Sequence, residues 1–500
     1  PFAMPEAHPS CKPENFKFTW EVLVNGQAVE NFVRGYALSF PAPSEYTTIE
    51  GVTCFRGNNF RNAPSFGYAD IKEEKLEKVW AVKTGYIDIW TGVGWTGQPA
   101  IVKWPSEVRG RMNIFPGKKS KDDLKEIIYA TLDGKIYFLD LEDGKPTRNP
   151  IDTGYPYKGS ISVDPRGYPL LYAGQGIPEK TGKQGPIGYR IFSLIDQKLL
   201  LFINGYDRDA LRRWGAFDSN ALLDSKTDTL VECGENGLIY TIKLNTMYDS
   251  DTGSVNINPE MAKYRYKSPI SMKIGTENSP VIYKSYIYFA DNSGFFQCVD
   301  LNTLKPVWVR NVSDDTDSTP VLEEISESEV YIYTATELDR QGKDGFSYIR
   351  KLNALTGELL WEKKVECLYD SHTNGGALAT PVIGKNDIGN LVIFNIAKTD
   401  RKTKNGSKLL ALDKETGKEV WIVDFKYYSW SSPVDVYTKE GKSYLILSDS
   451  GGYMRLFEGI SGKELDSLPL GANVEASPAV YDDMLVVGTR GQQIFGIKIK

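Results

Sequence analysis

Histidine is nearly absent from this chain of 500 residues: only His8 and His372 occur. That scarcity excludes histidine-rich zinc centres and the HExxH metalloprotease pattern. Cysteine is sparse and scattered. Cys11, Cys54, Cys233, Cys298 and Cys367 are far apart, so there is no CxxC, no haem-attachment motif and no adjacent cysteine pair. Cys11 and Cys54 could pair as a disulfide, whereas Cys298, inside the alternating run Phe296–Val299, reads as a core thiol. No apolar run approaches the roughly 18 residues that a membrane helix needs, and no GxSxG marks a hydrolase elbow. A basic face is missing too: 59 Lys and Arg against 65 Asp and Glu give a net charge of −6, which argues against a nucleic-acid partner. The chain begins at Pro1 rather than Met, which fits a secreted chain whose leader has been removed.

What is abundant is β-forming sequence. Short runs of Val, Ile, Tyr and Phe alternate with Gly, Asp and Asn turns, and aromatics reach 12%. One phrase recurs, a hydroxyl or small residue, often followed by Pro, then a β-branched run. It begins at Gln98-Pro99, Ser160, Ser219-Asn220, Ser279-Pro280, Thr319-Pro320, Thr380-Pro381, Ser432-Pro433 and Ser477-Pro478. The mean spacing of about 54 residues is near that of propeller blades, so eight phrases predict eight blades. Each unit continues through a hairpin with Asp133-Gly134 or Ser293-Gly294 at its tip, as two-residue turns require. Several close with Asn353-Ala-Leu-Thr-Gly357-Glu-Leu-Leu-Trp361 or Asp413-Lys-Glu-Thr-Gly417-Lys-Glu-Val-Trp421, with Asp300 to Trp308 as a looser copy. The Trp should wedge between adjacent blades.

This Leu-Asp-x-x-Thr-Gly-x-x-x-Trp pattern resembles the repeat of pyrroloquinoline-quinone-like β-propellers, which include quinoprotein alcohol dehydrogenases and a non-catalytic outer-membrane assembly lipoprotein. The resemblance covers residues 78–500 and is strongest in the last five units. It implies an all-β, eight-bladed propeller, with residues 1–77 as an N-terminal arm, β-hairpin and face-packing segment. The last unit, Ser477–Lys500, has room for three strands only. Its fourth strand should come from Lys78–Val82 with Trp80, closing the ring. Asn25-Gly26 predicts the hairpin, Phe55–Arg61 should pack over a face, and the first fifteen residues read as a flexible arm.

Residues just before each phrase should line one mouth of the channel. These are Trp95, Gln98, Lys158, Asp218, Asn220, Glu277, Asn278, Asp317, Asn374, Trp430 and Glu475. Asp218, Glu277, Asp317 and Glu475 together could hold Ca²⁺ through oxygen ligands, or serve as solvated turn groups. His372 could act as a base there, although a loop histidine without a role is the plainer reading. Trp90, Trp95, Tyr155 and Trp430 could stack on a sugar. Without the cysteine pair or a haem motif, the quinone implied by the resemblance is not expected as a cofactor. The expected function is a non-enzymatic, secreted or cell-surface binding or scaffold module. Its partner would be a protein or polysaccharide at a propeller face, with self-association through residues 1–77 as a variant. A quinone- and Ca²⁺-dependent dehydrogenase and a carbohydrate-binding propeller are the alternatives.

Overall fold

Eight four-stranded antiparallel sheets surround one axis, each beginning at one of the recurring phrases. The computed structural model describes residues 3–369 and 373–500; His372 lies outside them. From blade 1 to blade 7 the innermost strands are Ala100–Lys103, Ile161–Val163, Leu222–Asp224, Val281–Tyr283, Val321–Ser326, Val382–Ile383 and Val434–Tyr437. Blade 8 starts at Ala479–Tyr481. Its outer strand comes from the other end of the chain: Leu76–Lys83 pairs antiparallel with Gln493–Ile499, as the sequence predicts. Lys75 and Lys500 exchange both backbone hydrogen bonds beside this seam, at 3.1 and 2.9 Å.

Two features of the repeat acquire physical reasons. In five of the eight phrases the opening hydroxyl accepts a hydrogen bond from the backbone of the preceding blade. Gln98 N–H donates to Ser160 Oγ (3.0 Å), Asn220 N–H to Ser279 Oγ (3.0 Å), and Ser279 N–H to Thr319 Oγ1 (2.9 Å). Thr380 N–H donates to Ser432 Oγ (2.9 Å) and Ser432 N–H to Ser477 Oγ (3.1 Å). Around the axis, where strands converge and backbone N–H groups lose water, a small hydroxyl satisfies a neighbour. At the rim, each motif Trp stacks on the glycine turn of the next blade. Trp308 meets Gly357, Trp361 meets Gly417, Trp421 meets Gly462, and Trp80 meets Gly144 across the seam. These glycines have φ of +68° to +74°, and a Cβ on any of them would fall 2.5–2.7 Å from the indole. Glycine is thus required twice over at each.

The N-terminal hairpin forms with Asn25 and Gly26 both at positive φ, the two-residue turn expected of Asn-Gly. Its strand Thr19–Val24 pairs with Glu260–Lys267, the outer strand of blade 3, so that edge is occupied within the chain. The first fifteen residues, read as a flexible arm, instead dock on blade 5 from Ala3 onward. Glu6 and His8 donate backbone hydrogen bonds to Leu355 and Thr356 carbonyls, at 2.9 Å each. The Cys11–Cys54 disulfide does not form. Cys11 packs in the core of blades 4 and 5 with its Sγ 3.2 Å from the Gly357 carbonyl, and Cys54 packs with Tyr46 and Leu222. Apolar burial, not cross-linking, accounts for both thiols.

Residues 50–66 do more than cover a face; they thread the axis and touch every blade. Glu50–Val52 adds a strand to Ala100–Lys103, and Val163 N–H donates to Thr53 O (2.8 Å). Phe55 N–H donates to Asn220 Oδ1 (2.9 Å), Ile282 N–H to Asn59 O (2.9 Å) and Leu322 N–H to Phe60 O (3.1 Å). Arg56 donates to the Pro381 and Pro433 carbonyls (3.0 and 2.6 Å), and Ser65-Phe66 runs parallel to Val480-Tyr481. Arg56 and Arg61 are both 0% exposed, so this hub closes the channel at that level.

A blind acidic cup at the propeller axis

The innermost strands start at one end of the axis and meet the hub a few residues later. What remains open is a cup of about 480 Å³. Seven of the eleven predicted site residues line it: Trp95, Lys158, Glu277, Asp317, Asn374, Trp430 and Glu475. The other four do not. Gln98 turns to the hub, donating to Cys54 O and accepting from Arg56 N–H (3.2 Å each). Asn220 serves Phe55 and Arg61 of the hub. Asn278 bridges blades 4 and 5 through the Ala290 and Thr316 carbonyls (2.9 and 2.6 Å). Asp218 lies buried behind Lys158.

The four carboxylates expected to share a Ca²⁺ do not meet at one point. They divide into two clusters, each joined by residues outside the predicted site set. Asp218 and Glu277 converge with Glu235, and Asp317 converges with Asp315 and Glu337; within each cluster one oxygen per residue lies within 4.8 Å of the others. Glu475 stands apart, paired with Arg490 (3.1 Å) and accepting from Asn473 (2.9 Å). Glu235, Asn292, Glu337 and Arg490 share a signal that was available: each sits just after the second strand of its blade. Aligning the blades on that position, not only on the recurring phrase, would have found this second ring.

The two clusters differ in charge balance. In the first, Lys158 Nζ lies 2.5 Å from Asp218 Oδ2, a close ion contact, and 3.2 Å from Glu277 Oε2. The same ammonium stands 5.3 Å from the centre of the Trp95 ring. Burial opposes the Lys158 charge, but Asp218 and Glu277 outweigh it and hold the ammonium well above its ordinary value. Burial would likewise raise Glu277, yet Lys158 pulls it below the usual carboxylate range. Asp218 and Glu235 stay raised by burial. In the second cluster no Lys or Arg among the described residues pairs with Asp315, Asp317 or Glu337. Burial pushes all three well above the ordinary carboxylate value; repulsion within the cluster adds to it for Asp315 and Glu337, and repulsion from Glu277 adds to it for Asp317.

A pH dependence follows. Acids raised in the native state keep protons that the unfolded chain releases above about pH 4. Stability should therefore fall as pH rises from there through the raised native values. The expected result is a melting temperature that declines from pH 5 to pH 8, with a shallower decline in Asp317→Asn. Parallel profiles for the two proteins would contradict it.

The fold is an eight-bladed β-propeller, and its repeats resemble those of pyrroloquinoline-quinone-like propellers. A family model described as outer membrane protein assembly factor BamB matches residues 405–500. Among solved structures, the chain is similar to a quinohemoprotein alcohol dehydrogenase from Pseudomonas putida, with 12% identity and a TM-score of 0.59, over 90% of this chain and 80% of that one. It is also similar to BamB from Moraxella catarrhalis, with 12% identity and a TM-score of 0.50, over 85% of this chain and 98% of that one. At such identities the likeness is one of fold. No curated protein matches the sequence.

The fold family makes a tricarboxylate quinone the cofactor to test against these residues. Six carboxylates and four basic side chains line the cup, and two of the four, Lys158 and Arg490, are engaged by Asp218, Glu277 and Glu475. A tricarboxylate would add negative charge beside Asp315, Asp317 and Glu337, where burial already penalises it. The cup residues do not fit that group.

Proposed function

We propose that this chain is a non-catalytic binding propeller that works outside the cytoplasm and selects positively charged ligands at its axial cup. The observation that supports this reading most is the Asp315, Asp317 and Glu337 cluster: three converging buried carboxylates with no basic partner among the described residues. Such groups favour a ligand that brings its own positive charge. The placement outside the cytoplasm, and a protein as the larger partner, rest on the likeness to BamB, named as an outer membrane assembly factor. The N-terminal hairpin gives self-assembly no support, because its strand is paired within its own chain.

The test is a thermal-shift panel at pH 7.5 that compares CaCl₂ and cadaverine with pyroloquinoline quinone and pyrophosphate. Cations should raise the melting temperature by several degrees near saturation, and the anions should leave it unchanged. Stabilisation by the anions alone would overturn the reading, as would dye-coupled alcohol oxidation on adding quinone and Ca²⁺.

A further inference from the structure

The first acidic cluster already displays a bound cation of known shape. Lys158 is, in effect, an alkylammonium ligand supplied by the chain: its Nζ sits on Asp218 and Glu277, and Trp95 flanks it. The second cluster, Asp315, Asp317 and Glu337, presents the same three-carboxylate geometry without such a group. Two oxygens in the cup lining, one of them within this cluster, have no donor among the described residues. Asn292, 8% exposed, spends its amide N–H on Glu277 Oε1 (3.1 Å) and leaves Oδ1 unpartnered. Asp317, 7% exposed, likewise has Oδ1 unpartnered.

Size and lining decide what kind of cation suits the cup. A metal ion with six waters occupies roughly 200 Å³, at about 30 Å³ per water. The cup holds about 480 Å³, within the range of small organic ligand sites. Its wall also carries Trp90, Leu132, Leu378, Tyr428 and Trp430. A bare ion makes no use of these surfaces, whereas an aliphatic stem packs on them and its charged head gains from the ring faces.

We infer that the cup's ligand is an organic cation, an ammonium or guanidinium on an aliphatic stem, with its head on Asp315, Asp317 and Glu337 and its stem against Trp430. This rests on the charge selection proposed above and names the ligand class. The head can belong to a free amine or to a basic side chain of a polypeptide; the chemistry is the same.

Calorimetric titration of the full chain with cadaverine, Nα-acetyl-lysine N-methylamide, 1,5-pentanediol and CaCl₂ tests the inference. Both amines should bind and the diol should not. Asp317→Asn and Glu337→Gln should each weaken amine binding at least tenfold while keeping the wild-type circular dichroism spectrum, so that a folding defect in one leaves the other informative. Trp430→Ala should weaken the amines and leave any Ca²⁺ binding unchanged. Tighter binding of the lysine derivative assigns the head to a polypeptide, and tighter binding of cadaverine assigns it to a free amine; either supports the inference. Ca²⁺ binding that depends on Asp317, with no amine binding, overturns the inference but leaves charge selection standing. Failure of both Ca²⁺ and the amines overturns charge selection as well.

Discussion

Replacing residues 76–83 by a flexible linker is expected to unfold the whole ring rather than loosen one blade. The strand makes seven register pairs with Gln493–Ile499. Trp80 also donates Nε1–H to Leu141 O across the seam (2.9 Å) and covers Gly144 of blade 1. Trp80 alone is worth on the order of 3 kcal/mol of buried apolar surface, and the replacement would also bare an edge along 493–499 that invites aggregation. The expected readout is a large fall in the urea midpoint together with early elution on gel filtration. Lys75 and Lys500 exchange backbone hydrogen bonds, so the chain end lies where the strand begins. Moving the strand to follow Lys500 through a two-residue Asn-Gly turn should therefore restore the fold. An unchanged midpoint in the replaced form, or no recovery in the rearranged one, would count against closure as the source of stability.

Arg61→Ala should be the costliest single substitution outside the strand cores. The guanidinium has no solvent exposure and donates to four different acceptors: Pro280 O (3.0 Å), Phe55 O (2.8 Å), Asn220 Oδ1 (3.1 Å) and Asn220 O (2.5 Å). Burial lowers its pKa, with Cys54, Tyr46 and Glu232 opposing that fall. Truncation leaves three backbone carbonyls and an amide oxygen short of a donor and the Glu232 carboxyl without its nearby cation, a loss of about 3–5 kcal/mol. Arg61→Lys should recover little, because an ammonium cannot reach this spread of acceptors with a planar fork. Urea denaturation monitored by tryptophan fluorescence measures both; a loss below about 1 kcal/mol for Arg61→Ala would contradict the account.

The ring was readable because its signals are local and repeated. The hydroxyl-Pro phrase, the Asp-Gly and Asn-Gly tips and the Thr-Gly…Trp closure each lie within ten residues. Even the long-range seam could be inferred, since a missing strand at one end matched a spare Trp80 at the other. The hub was not readable in the same way. Nothing local marks Arg56 and Arg61 as buried, because their acceptors are carbonyls of Asn220, Pro280, Pro381 and Pro433, up to 377 residues away. In the cup, residues preceding the phrase were found because the phrase flags them, whereas Glu235, Asn292 and Glu337 follow the second strand, where no recurring phrase marks them. Gln98, Asn220 and Asn278 erred in the opposite direction. They lie one to three residues nearer the start of the inner strand than Trp95, Asp218 and Glu277, and their side chains turn to the hub or the neighbouring blade.

The hub also bears on how an almost periodic object is counted. Blades that dock through the same Trp-on-glycine contact could in principle close after one unit fewer or more, or trade places with a blade of another molecule. Residues 50–66 meet the blades through contacts that change around the ring, a strand for the first, an asparagine carbonyl for the fourth, an arginine for the sixth and seventh. A ring of the wrong size would leave some of these contacts unmade, with buried arginine donors facing no acceptor. The axis therefore works as a template that numbers the blades, and the repeat can remain nearly uniform without losing its order.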